Sequence, residues 1–261
     1  MYFTSKIIKE TAKKQLKCNW SVAIIVALVL VLTFSLAICL PSLIMLVLEN
    51  FAASNGAVSN VITTACYCVT AGLALIMIFP IMQGVVRWYW FLGLDKEQPV
   101  SEVFYYFSAY KLWLKAFTLG CRMAGNTLFA AVIVSLPLGF AFGFLKGTTA
   151  ELLVPVLNAA VILMVALFMF VRYSVAPVAI ILNENVTSEQ AMAVSKQVIS
   201  GNTGKCFIMV LSFVGWILLS FLGIPLVYTL PFMFTAYVIF VRFVIINHRS
   251  KAAKSNLLPY I

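Results

Sequence analysis

Long apolar runs that contain no Asp, Glu or His recur along this chain of 261 residues. A transmembrane helix needs about 20 consecutive apolar residues. Because 63% of the residues are hydrophobic and only 10% are charged, a soluble enzyme, a secreted disulfide module and a disordered tail are excluded. We predict an all-α polytopic membrane protein with six transmembrane helices and short amphipathic cytoplasmic helices. The six predicted spans are residues 20–48, 61–86, 116–144, 152–182, 206–222 and 225–246.

These spans predict three parts of the chain. Residues 1–19 form a basic amphipathic cytoplasmic segment, residues 20–246 form the six-helix transmembrane domain, and residues 247–261 form a basic cytoplasmic tail. Only Gly223 and Ile224 separate the last two spans, and Gly223 before Pro225 predicts a tight hairpin there. The first span is longer than the apolar core of a signal peptide, about 7–15 residues, so we expect it to remain in the mature chain.

Lysine and arginine are distributed unevenly across the predicted topology. Fourteen of the 18 lie on one side, Lys146 lies alone on the other, and three arginines lie inside spans. Short cytoplasmic loops carry the excess of basic residues, so both termini are expected in the cytoplasm. The net charge of +10 fits this topology together with anionic phospholipid, rather than nucleic acid.

The N-terminal segment has the pattern of an amphipathic helix. Ile7, Ile8 and Leu16 fall on one half of a helical wheel, and the basic side chains fall on the other half. Such a helix suits an anionic membrane surface, although topology alone would also produce a basic face. The proposed membrane-surface residues are Lys6, Lys9, Lys13, Lys14 and Lys17.

Residues 101–110 and 187–200 repeat this amphipathic pattern before later spans, with Ser101 and Ser188 as expected helix caps. A threefold repeat of amphipathic segment, Lys beside an aromatic residue and membrane hairpin is one interpretation. The other is that any cytoplasmic loop beside a membrane has this composition.

The spans offer few groups for catalysis. Glu49, Glu151 and Glu184 lie at span ends, and His248 lies in the tail. Acid–base catalysis and proton relays need titratable groups that converge in one site, so we expect no enzymatic activity and no cofactor. Core packing explains the Cys-x-Cys at 66–68 better than metal ligation, so we also expect no metal site.

Three arginines supply the only charges inside the spans. Arg122, Arg172 and Arg242 lie roughly 10, 15 and 9 Å from the cytoplasmic span ends at about 1.5 Å per residue. An unpaired arginine at the membrane centre costs roughly 2.5–3.5 kcal/mol, and no span contains a carboxylate. We therefore hypothesise that all three bind an anionic ligand, with water or backbone carbonyls as alternative partners. Snorkelling is the simplest explanation for Arg122 and Arg242, but it explains Arg172, the deepest, poorly.

Glycine and proline mark further positions in the spans. Gly139, Gly143 and Gly147 are spaced by four, which either allows another helix to pack closely or arises by chance. Prolines occur in most spans, including Pro177, and predict kinks or breaks.

Several stretches of the chain resemble a known bacterial family. These are Ala12 to Trp20, Leu94 to Phe104, and Ser188 to Gly201 with Ala191 and Ser195. They are followed by Leu-Ser-Phe-Val-Gly-Trp at 211–216 and Leu-Pro-Phe at 230–232. In this order they are similar to the family called domain of unknown function 975. The resemblance implies a small polytopic protein of the bacterial cytoplasmic membrane and implies no activity.

Two functions of different class remain open. The first is a non-enzymatic membrane protein that acts on anionic phospholipid, or on an envelope partner, through its basic cytoplasmic face. The second is a small transporter or exporter component that accepts an anionic or amphipathic solute in an arginine-lined cavity. We expect anionic phospholipid as a partner, and a membrane protein or a second copy of the chain as a further one.

The charge distribution predicts which sites an impermeant reagent can reach. Single cysteines introduced near Ser54 and Thr148 into a cysteine-free variant should react with an impermeant maleimide outside intact cells. A cysteine near Ser255 should not react, and its labelling would overturn the six-span assignment.

Overall fold

The computed structural model describes residues 5–52, 56–94, 96, 98–145, 153–220 and 224–254. Within these residues every regular element is helical. They comprise a 3₁₀ helix, Val100–Phe107, and the α-helices α1 Ser5–Leu16, α2 Trp20–Ala52, α3 Gly56–Leu92, α4 Tyr110–Leu145, α5 Leu153–Tyr173, α6 Ala176–Leu182, α7 Ser188–Ile199, α8 Thr203–Ser220 and α9 Ile224–Lys254.

The structure confirms an all-α polytopic membrane protein. Five stretches in the described residues are long and apolar enough to cross a membrane: Trp20–Ile44, Thr64–Leu92, Tyr110–Phe140, Leu153–Leu182 and Leu226–His248. They match every predicted span except the fifth, which corresponds to α8, so the count of six stays a prediction. Ser54, Thr148 and Ser255 lie outside the described residues.

The helices divide into two compact units. Unit 1 comprises Met1–Lys9, Thr118–Trp216 and Ile239–Ile261, and unit 2 comprises Glu10–Phe117 and Ile217–Val238.

In unit 2, α2 packs along α3, and aromatic residues fill the core near the end of α3. The buried Tyr89 hydroxyl donates to the Ala23 carbonyl over 2.8 Å, and its ring stacks on Phe234 at 5.2 Å between centroids. A buried tyrosine hydroxyl needs such a partner, so this bond ties α3 to the start of α2.

The 3₁₀ helix packs directly against α3. A Cβ at Gly84 would overlap the carbonyl of Val103, so only glycine allows this approach. Next to this contact the buried Gln83 amide donates to the Tyr106 hydroxyl over 3.4 Å. The predicted amphipathic segment 101–110 is thus helical, but it is shorter and wound as a 3₁₀ helix. The predicted cap at Ser101 is wrong, because Pro99 occupies the N-cap position and makes no side-chain hydrogen bond.

In unit 1, the predicted span 152–182 is broken. α5 ends at Tyr173, and α6 begins at Ala176 with Pro177 in its first turn. α6 packs against α7, and five of its seven residues are buried.

The start of α7 also differs from the prediction, because Thr187 is the N-cap. The Thr187 hydroxyl accepts a hydrogen bond from the backbone amide of Gln190. The side-chain oxygen of Gln190 accepts one from the backbone amide of Thr187. These two bonds form a capping box, which satisfies free donors at the helix start. The cap assigned to Ser188 is therefore wrong by one residue.

The Gly84 contact gives a stability prediction. Gly84→Ala should lower the free energy of unfolding by about 1–3 kcal/mol, because the added methyl group overpacks a backbone contact. Gly72→Ala on the same helix is the control, since its Cβ would meet no atom within 4 Å. Thermal unfolding in neutral detergent measures both. Equal midpoints for the two variants would contradict the close approach.

Candidate functional site

The N-terminal helix α1 has one buried face and one basic face. Ile8, Ala12 and Leu16, spaced by four, are all at most 1% exposed. The predicted amphipathic helix is therefore present, and its apolar stripe is covered by the chain itself. Ile7, which the wheel placed on the same face, is exposed. Three lysines of α1, Lys6, Lys13 and Lys14, are exposed, and so is Lys17, the residue after the helix ends.

Lys9 differs from the other four lysines. Its ammonium donates to the Ser212 carbonyl over 3.1 Å and lies 4.8 Å from the centre of the Phe213 ring. Burial lowers the pKa of Lys9 from its usual value. Lys9 therefore has partners within the protein, which the sequence pattern did not predict.

In unit 1, one face of α4 carries polar residues that meet α5 and α7. The Thr118 hydroxyl lies 2.8 Å from that of Ser188, and the Asn126 amide donates to the Tyr173 hydroxyl over 3.3 Å. Between them Arg122 forms an ion pair with Glu189. The expectation that Arg122 would find no carboxylate is wrong, because its partner lies on a helix outside the spans. The two side chains are 48% and 71% exposed, so the pair adds little stability.

The break between α5 and α6 is bridged by Ser195 of α7. Its hydroxyl donates to the Arg172 carbonyl over 2.9 Å and accepts from the Val175 amide over 3.1 Å. Breaking a helix frees such groups, and they need partners wherever water is scarce. The completely buried Ser195 satisfies one group on each side of the break.

This break changes the expected depth of Arg172. The estimate of about 15 Å assumed one continuous helix as far as Leu182, at about 1.5 Å per residue. Because α5 ends at Tyr173, that distance does not apply, and Arg172 instead lies in the last turn of α5. Its side chain is exposed. A cation in this position also interacts favourably with the negative end of the helix dipole.

The other predicted site residues are less informative. Arg242 is partly buried on α9, and its role as an anion ligand stays a prediction. A Cβ at Gly139 would meet no atom of the described residues within 4 Å, so close helix packing at this glycine stays a prediction. Gly147 lies outside the described residues. Gly143 is part of α4, but its surroundings are not described.

The sequence pattern did not predict the contacts of one cation, Arg87, with aromatic rings near the end of α3. Arg87 was assigned to a loop, but it lies within α3 and its guanidinium is 3.5 Å from the centre of the Tyr105 ring. Its Nε is 3.5 Å from a carboxylate oxygen of Glu102, and Phe91 lies on another side at 5.0 Å. The aromatic residues of segment 101–110 were the signal that could have predicted a cation contact.

Metal ligation finds no support in the described residues, where no group of three or more His, Cys, Asp or Glu could hold an ion. The family model described as protein of unknown function DUF975 matches residues 1–248. The chain belongs to this family. No curated protein matches the chain, and no solved structure matches it.

The break in this DUF975 member yields a second stability prediction. Ser195→Ala should lower the free energy of unfolding by about 1–3 kcal/mol, because buried backbone groups lose their partner. It should also speed hydrogen exchange at the Val175 amide. Ser200→Ala is the control, since the exposed Ser200 hydroxyl, at the C-cap of α7, donates to the nearby Gln197 carbonyl and not to the break. Unchanged exchange at Val175 in Ser195→Ala would show that the hydroxyl does not hold the break.

Proposed function

We propose that this chain is a non-enzymatic integral membrane protein of the bacterial cytoplasmic membrane that binds anionic phospholipid through its basic cytoplasmic face. The observation that carries the proposal is the arrangement of α1. Its apolar stripe is buried, its lysines Lys6, Lys13 and Lys14 are exposed, and so is Lys17, which directly follows the helix. A helix held in this way presents a fixed row of cations, and anionic headgroups attract such rows.

The charge inventory supports the same function. The basic residues outnumber the acidic ones by 18 to 8, and with both termini in the cytoplasm most of the excess lies on one side of the membrane. The spans lack the converging carboxylates and histidines that acid–base chemistry uses, which supports a binding role over an enzymatic one. An envelope protein with an acidic surface is the other partner class that this face would fit.

A transporter or exporter component is the second candidate. The observation that favours it is the helix break beside Arg172, because broken helices line substrate sites in many transporters. In this chain, however, the Ser195 hydroxyl bonds a freed group on each side of the break. The break therefore has a structural explanation, and we rank transport below lipid binding.

Lipid retention tests the proposed function. The full chain is extracted in neutral detergent from membranes containing phosphatidylglycerol and a zwitterionic lipid, and the bound lipids are measured by mass spectrometry. Replacing Lys6, Lys13, Lys14 and Lys17 together by Gln should reduce phosphatidylglycerol enrichment roughly tenfold or more, since each lysine near an anionic surface is worth about 1 kcal/mol.

Two controls make this result specific. The four lysines replaced by Arg keep the charge and should retain the enrichment. Lys9→Gln should change it little, because Lys9 already contacts Ser212 and Phe213. The enrichment should also fall with added salt. Equal enrichment in the Gln and Arg variants would refute the role of α1.

A further inference from the structure

We infer that the corner of unit 1 where α4, α5 and α7 meet is a second binding site for the phosphate group of an anionic phospholipid, with Arg172 and Lys196 as its ligands. The inference rests on the proposed function only in assigning lipid as the partner. It uses none of the lysines of α1, so the two sites can fail separately.

The length of α5 indicates the level of Arg172 in the membrane. α5 has 21 residues, so it is about 32 Å long and can cross a hydrocarbon core of about 30 Å by itself. Beyond the break, α6 is mostly buried and packs on α7, whose Glu189, Gln190 and Gln197 are exposed. α7 is therefore outside the hydrocarbon. Arg172, in the last turn of α5, then lies at the level of the lipid headgroups.

The length of α4 supports the same level. The hydrogen bond from Asn126 to Tyr173 joins α4 to the residue after Arg172. From Arg122 to Leu145, α4 is about 35 Å long, which is enough to cross the membrane, so its first three turns are left outside. The pairing of Arg122 with Glu189 of α7 fits a position at the membrane surface.

Arg172 and Lys196 supply the positive charge of the proposed site. Ser195 bonds the Arg172 carbonyl, and the next residue on α7, Lys196, lies near Tyr173, the residue after Arg172. The Lys196 ammonium lies 5.7 Å from the centre of the Tyr173 ring, and both cationic side chains are exposed. Within the part of the chain that the structure describes, neither has an ion-pair partner. The carboxylate of Glu189 is already paired with Arg122. Arginine beside lysine is suited to phosphate, which accepts a bidentate guanidinium.

Exposed apolar side chains near these cations favour a lipid over a soluble anion. Phe168 lies one turn deeper than Arg172 on the same face of α5 and is 43% exposed. On α4, Leu128 and Phe129 lie deeper than Asn126 and are also exposed. Cations at the surface with exposed apolar side chains below them match a phosphate headgroup above acyl chains. A soluble anion would use only the cations.

Lipid-dependent stability tests this site in the full chain. In neutral detergent, phosphatidylglycerol should raise the melting temperature of the parent more than phosphatidylcholine does. Arg172→Gln combined with Lys196→Gln should lose most of this difference. Arg172→Lys should keep part of it, since lysine retains the charge without the guanidinium fork. Lys205→Gln, which removes an exposed lysine of the same unit, should keep nearly all of it.

Soluble probes and a second measurement complete the test. Glycerol phosphate and inorganic phosphate should give no stabilisation that depends on Arg172. Such stabilisation would overturn the lipid assignment and favour the transporter function. If the double variant does not fold, bound phosphatidylglycerol is counted by native mass spectrometry in the Arg172→Lys and Lys196→Gln variants, and unchanged binding in both would refute the site.

The outcomes also separate this site from the proposed function. The variants are Arg172→Gln with Lys196→Gln, and the one in which Lys6, Lys13, Lys14 and Lys17 are replaced by Gln. If phosphatidylglycerol stabilises the first fully and the second no longer, this inference is overturned and the proposed function stays intact. Loss only in the double variant supports the site and contradicts the role of α1. Loss in neither variant refutes both.

Discussion

The hydroxyl of Ser195 bonds a carbonyl and an amide that a broken helix would otherwise leave without partners. Backbone groups that are buried away from water need a partner, and Ser195 is completely buried, so its hydroxyl stabilises the break between α5 and α6. The arrangement of unit 1 follows from this constraint. Because Ser195 lies on α7, its two hydrogen bonds join α7 to both sides of the break. The contacts that α4 makes with Ser188, Glu189 and Tyr173 depend in turn on that placement.

Much of the helical architecture could be predicted from the sequence, because each apolar run reports its own length and polarity. The all-α membrane fold, the positions of five spans, and helices α1 and α7 were predicted in this way. The errors arose where a distant residue decides the local structure. Pro177 indicated a kink or break, but the partner that satisfies it is 20 residues beyond Val175. Without that information the depth of Arg172 was estimated along one continuous helix, which the structure does not have.

The contacts of the candidate site were harder to predict for the same reason. Arg122 and Glu189 are 67 residues apart, and neither position indicates the other. Lys9 and Ser212 are separated by 203 residues. Only the folded chain therefore shows that one of the five N-terminal lysines has a partner and that the other four are exposed. The basic pattern predicted five lysines that could bind anionic lipid. Which of them are exposed depends on long-range packing, which the pattern does not show.

The position of Ser195 in the chain has a consequence for biosynthesis. The apolar stretch Leu153–Leu182 is synthesised before α7, so it enters the membrane while the serine that satisfies its break has not yet been made. A continuous helix satisfies its own backbone groups at that stage. The broken form becomes the better arrangement only after α7 has emerged and packed against it. The break in this apolar stretch thus depends on a residue that is synthesised after it.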